Sequence, residues 1–155
     1  MGGDSLRTLI KRDPRGDRPA FESVTMAFSS ATVYPIYEDD FCLVNDQNLL
    51  IKKYFFPSRR NVLLPVDDIR VVHFARQDDS KYAHLRTWGK AKNECYWAPD
   101  FRRCLPGNKT GKHNVVVDIE DGLKRGFSVQ DIDKFLEAIR AVCSFHVIIA
   151  DNLNF

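Results

Sequence analysis

Apolar positions recur at two different periods along this chain, and the change between them divides it. Near the C-terminal end, Ile132, Phe135, Leu136, Ile139, Val142 and Cys143 fall three or four apart, the spacing of a helix that buries one stripe. Asp133, Lys134, Glu137 and Arg140 take the opposite face, with Lys134 and Glu137 spaced as an i,i+3 pair. The pattern predicts an amphipathic helix over about 129–145, capped by the Ser128 hydroxyl. Asp131 and Asp133 suit the positive end of its dipole.

Upstream the period is two. Val24, Met26 and Phe28 alternate with Thr25 and Ala27, which predicts a first strand. Residues 31–37 extend or re-enter the sheet only at an edge or bend, because Pro35 lacks a ladder donor. Short strands follow over 41–44, 49–56, 61–64 and 69–74, separated by turn chemistry such as Asn45-Asp46 and Pro57-Ser58. In the last of these, Ile69, Val71 and His73 share a face if the alternation is unbroken. Strand character resumes over 83–91 around Leu85, Thr87 and Trp88, and again over 93–97. Residues 101–112 hold Pro106, Gly107, Asn108 and Gly111 and read as a long loop. Val115, Val116 and Val117 begin a hairpin that turns at Asp121-Gly122 and returns over 123–127. The expected class is mainly β: about seven strands in a two-sheet sandwich or barrel, capped by one helix, in a single domain over 21–150.

Composition narrows the function more than the fold. A chain of 155 residues, 44% hydrophobic and 12% aromatic, can bury a real core. A net charge of +2 does not by itself point to nucleic acid. Residues 1–20 carry Arg7, Lys11, Arg12, Arg15 and Arg18 among prolines and glycines and read as a flexible basic tail. That stretch lacks the apolar centre of a signal peptide, and no run is long enough to span a bilayer, so a cytoplasmic location is expected. Cys42, Cys95, Cys104 and Cys143 form no C-x-x-C pair, and His73, His84, His113 and His146 show no ligand spacing. No metal and no cofactor is expected. Cys42 and Cys143 sit in apolar patterns and read as reduced core residues.

Three stretches resemble the pleckstrin-homology-like superfamily, especially its bacterial-type members: FCLVNDQNLLIKKYFF, then NVLLPVDDIRVV, then VVVDIEDGLKRGFSVQDIDKFLEAI. The likeness covers about residues 38–145 and includes a turn of the form Leu64-Pro65-Val66-Asp67-Asp68-Ile69. It implies two near-orthogonal sheets with the helix plugging one open end, and a binding role more often than catalysis. A fold alone fixes no ligand.

Two basic regions are the candidate sites. In the first, Lys52, Lys53, Arg59 and Arg60 surround Phe55 and Phe56 with no acid among them. Phosphoinositide-binding members of the superfamily collect cations on such an early hairpin, which implies an anionic-lipid site here. Strand alternation sets a limit, since Lys52 and Lys53 would point to opposite faces. In the second, Trp88, Trp97, Phe101, Arg102 and Arg103 combine cations with aromatics, which suits a protein interface ahead of nucleic-acid stacking. The competing reading makes Trp88 and Trp97 core anchors.

Asp118, Glu120, Asp121 and Lys124 invite comparison with metal-dependent nucleases, but the lysine spacing is wrong and Asp121-Gly122 already has a turn role. No catalytic residue is expected. The chain is therefore expected to be a non-catalytic module for a protein partner or for homo-oligomerisation. The alternative is a peripheral-membrane module that reads anionic lipid through residues 52–60.

Overall fold

Helix α1 spans Ile132–Val142 and begins three residues later than Ser128 would start it. Ser128 and Val129 still belong to a strand, and Asp131 is the cap: its side chain accepts from the Lys134 amide at 3.1 Å. Lys134 pairs back onto Asp131 at 3.1 Å instead of forward to Glu137, so the cap and the ion pair share one carboxylate. Phe135 and Ile139 are fully buried by the apolar stripe. Each side chain of that size contributes about 1.5–3 kcal/mol of hydrophobic stabilisation. In this computed structural model the described residues are 34–155, apart from 86, 92, 93, 108 and 145. The basic tail over 1–20 and the strand expected around Val24 lie outside them.

The described strands form two sheets. The first is an antiparallel meander of β1 (Tyr37–Glu38), β2 (Cys42–Val44), β3 (Asn48–Ile51) and β4 (Val62–Pro65), paired in chain order. The second contains β5 (Val71–Arg76), β6 (Gly89–Lys90), β7 (Cys95–Trp97), β8 (His113–Asp118), β9 (Lys124–Val129) and β10 (Ile148–Ala150). Its spatial order is β10-β5-β8-β9-β7-β6, with β10 parallel to β5 and β7 parallel to β9. Among the described residues no strand pairing joins the two sheets, so there is no closed barrel.

One core draws on both sheets and on the helix: Val44, Leu49, Ile51, Val72, Val115, Phe127, Phe135 and Ile139 all belong to it. A smaller cluster of Ala75, Tyr82, Leu85, Cys95, Trp97, Val116 and Leu153 covers the other face of the second sheet. Residues on both faces of β8 and β9 are therefore buried, which explains the unbroken Val115-Val116-Val117 run. Gly126 lies under Trp97, where an added Cβ would collide with the indole ring.

Several expected boundaries shift. The strand expected over 49–56 stops at Ile51, because the chain turns at Lys52 and Lys53 and buries Tyr54. Ile69 precedes β5, so the core-facing residue is Val72 and not Val71. Residues Ser80–Leu85 wind into 3-10 turns that bury Tyr82 and Leu85, and among the described residues β6 alone remains of the strand expected over 83–91. Strand β10 follows the helix and was not expected.

Candidate functional site

A cleft of about 730 Å³ separates two segments that are far apart in sequence. Lys52, Lys53, Phe56 and Arg59 line it from the turn after β3. Pro99, Asp100, Phe101 and Arg102 line it from the connection after β7, with Asp40, Phe41, Thr110, Lys112 and Gln130 completing it.

The first wall is held by its own backbone. Phe55 N–H donates to the Arg60 carbonyl at 3.1 Å, Arg59 N–H to the Phe55 carbonyl at 2.6 Å, and Lys53 N–H to Asn61 Oδ1 at 2.9 Å. Lys53 (φ 51°) and Arg59 (φ 55°) adopt left-handed backbone conformations that are uncommon for residues bearing long side chains. This geometry also removes the limit set by strand alternation: Lys52 and Lys53 lie past the end of β3, and both line the cleft. Lys52 is nevertheless committed, with Nζ 2.6 Å from Glu38 and 2.7 Å from the Asp39 carbonyl. Arg60 is not part of the lining, and its guanidinium lies over the Phe55 ring at 5.7 Å.

The second wall stands on a buried polar cluster. Asp100 Oδ2 accepts from Lys112 Nζ at 2.6 Å and from the Ser128 hydroxyl at 2.6 Å, while Oδ1 accepts from the Arg102 amide at 3.1 Å. Gln77 donates to Ser128 at 2.8 Å and accepts from Thr110 at 2.7 Å. Arg103 donates to the Ala98 carbonyl at 2.6 Å, the Thr87 carbonyl at 2.8 Å and Ser128 at 3.2 Å. Burial alone would raise the Asp100 carboxyl, but the hydrogen bonds from Lys112 and Ser128 and the charges of Lys112 and Arg103 outweigh it. Its pKa is held at about 2. Burial pulls the Arg103 guanidinium the other way, downward, against the opposing charge of Asp100.

The aromatic candidates divide by burial. Trp97 is 0% exposed and Arg103 2%, so neither presents an interface; the guanidinium stacks over the indole at 4.7 Å and both serve the interior. That corrects their expected place at a surface. The competing expectation, a core anchor, describes Trp97 but not Trp88. Phe101 (63%), Phe56 (55%) and Trp88 (42%) are exposed, and Trp88 packs edge-on against Phe101 at 5.5 Å. Arg102 is exposed beside Phe101.

Five cations thus meet two acids in the lining. Asp100 is taken up by Lys112, and Asp40 accepts from Gln130 Nε2 at 2.8 Å. Among the described residues no acid pairs with Lys53 or Arg59. The arrangement presents positive charge next to exposed aromatic surface, which suits a ligand with anionic and apolar parts.

The acids of the β8–β9 turn are engaged locally. Asp118 accepts from the Glu120 amide at 2.7 Å and stands 3.6 Å from Lys124, while Asp121 takes both ends of Arg125 at 2.5 and 2.6 Å. Among the described residues no group of three or more His, Cys, Asp or Glu is placed to hold a metal ion. No described helix is long and apolar enough to cross a membrane.

Sequence reasoning found both walls but not their convergence. It also missed the cluster beneath them: by residue type Ser128 suits a helix cap, and nothing local to Asp100 points to a partner so far along the chain. Comparison with family models, with curated proteins and with solved structures gives no match.

Proposed function

We propose that the chain is a non-catalytic binding module of pleckstrin-homology-like type, and that the cleft between the 52–60 turn and the 99–112 connection is where it recognises a protein partner. The order of a strand meander, a second sheet and a helix near the C-terminus supports the superfamily reading. The parallel β10 and the unclosed sheets are departures from the expected barrel.

One observation carries the functional reading: Lys53 and Arg59 on one wall face Phe101 and Arg102 on the other, around a single concave surface. Arginine and aromatic side chains are the residue types that most often anchor protein interfaces. A photo-crosslinking phenylalanine analogue at Phe56 and another at Phe101 are expected to capture the same protein in cells. An analogue at Leu63, exposed on β4 outside the cleft, is expected not to capture it. Different captures from positions 56 and 101 would overturn the reading.

The second reading rests on Phe55 and Phe56, which are exposed beside Arg59 and Arg60 as an anionic membrane would require. Flotation with vesicles that contain phosphoinositide tests it. Binding that persists when Arg59 and Arg60 are both changed to Glu rules out this turn as the lipid contact.

A further inference from the structure

Resting on that assignment of the cleft, we infer that its occupant is an extended segment of a partner protein in which acidic residues are interspersed with apolar ones. Three features of the lining lead there.

Charge comes first. Lys53 and Arg59 line the cleft and have no acidic partner among the described residues. Asp100 does not offset them, because Lys112, Ser128 and the Arg102 amide already fill its oxygens. A carboxylate entering the cleft therefore meets two cations that no described acid neutralises.

Apolar surface comes second. Phe56 and Phe101 stand at 55% and 63% exposure within the same lining, and Trp88 extends the patch by packing on Phe101. A purely ionic ligand leaves this surface in water. An apolar side chain from the ligand covers it.

Depth and Asp40 come third. The side chains of Asp100 and Lys112 are only 5% and 10% exposed, and Lys112 Nζ sits 4.5 Å over the Phe41 ring. A flat bilayer meets what protrudes and does not reach this recess, whereas a peptide can follow it. Asp40 stands in the lining without a cationic partner among the described residues, so an unbroken run of acids would meet a like charge. The favoured segment alternates.

The test pans a random-peptide phage library on the whole chain and on the Arg59→Glu/Arg102→Glu variant, with Arg140→Glu on the exposed helix face as control. Folding of each is checked by amide NMR. Peptides carrying Asp or Glu between apolar residues are expected to be enriched on the wild type. Synthetic copies should bind the double variant about tenfold or more weakly, the scale of a single interface anchor, and the control unchanged. A Lys53→Glu/Phe56→Ser variant gives the same reading if the first fails to fold.

Enriched peptides without acids that still lose binding in the variant overturn the acidic assignment and leave the cleft as a peptide site. Acid-only peptides that bind as well as mixed ones also overturn it. So does binding only to phosphatidylserine vesicles, lost in the variant, which would give the cleft to lipid. No enrichment, or binding indifferent to both variants, removes the cleft as a recognition site altogether.

Discussion

Lys112 Nζ stands 2.6 Å from Asp100 Oδ2, and the pair closes the base of the loop that forms one wall of the cleft. Asp100 lies near the start of that loop and Lys112 at its end, just before β8. Through Ser128 the same carboxylate is tied to β9. The wall is thus set on the sheet by a buried polar cluster in which the loop's own Asp100, Arg103, Thr110 and Lys112 meet Gln77 and Ser128 from outside it.

Replacing Asp100 by Ala leaves Arg103 and Lys112 with no acid inside that cluster. Removing one partner of a buried ion pair typically costs about 3–5 kcal/mol. Urea unfolding of Asp100→Ala is expected to show a loss of that order. A loss below about 1 kcal/mol, the range of exposed ion pairs, would show that the cluster does not hold the fold.

The same carboxylate sets an acid limit. Its pKa is depressed from an ordinary 3.8 to about 2, so its stabilisation is complete above the ordinary value and is lost as pH falls from about 4 to about 2. The depression corresponds to about 2 kcal/mol. Urea midpoints measured down this window should fall more steeply for the wild type than for Asp100→Asn, which has no such group to titrate. Parallel profiles would contradict the assignment.

Gly126→Ala puts a methyl group against the Trp97 indole, a rigid ring locked in the second core cluster. Overpacking of this kind costs about 1–3 kcal/mol. Thermal unfolding should show the loss in the single variant, and Trp97→Leu should relieve part of it in the double variant. Additive losses would mean that the ring is not the obstacle.

Asp131→Ala removes the acceptor for the Lys134 amide and is expected to cost about 1 kcal/mol. Ser128→Ala is also expected to destabilise, but through the Asp100 cluster and not the helix. Helix content near the melting transition separates them: the first variant should fray α1, while the second should leave it intact until global unfolding.

The helix stripe, the turn after β8 and most short strands were legible because each depends on neighbours within a few residues. Boundaries failed where tertiary structure overrode local signals. Ser128 is a good helix cap by type, yet its hydroxyl serves Asp100 from within β9. Residues Ser80–Leu85 wind into turns that bury Tyr82 and Leu85 against a sheet face that period-two reading could not anticipate. Of the site, the basic and aromatic composition of both walls was readable. Their meeting was not, since it depends on where β3 and β7 sit in different sheets. Nor could composition separate Trp97 from Trp88, or Arg103 from Arg102; pleat and loop geometry decide which of each pair is buried.

The claim that two distant loops make one recognition surface is tested most directly by reversing charge on one wall at a time. Affinity enrichment from cells would compare the wild type with Arg59→Glu alone and Arg102→Glu alone. The cleft predicts that each reversal loses the same partner. Loss of different proteins from the two variants, or retention of every protein by both, would contradict it.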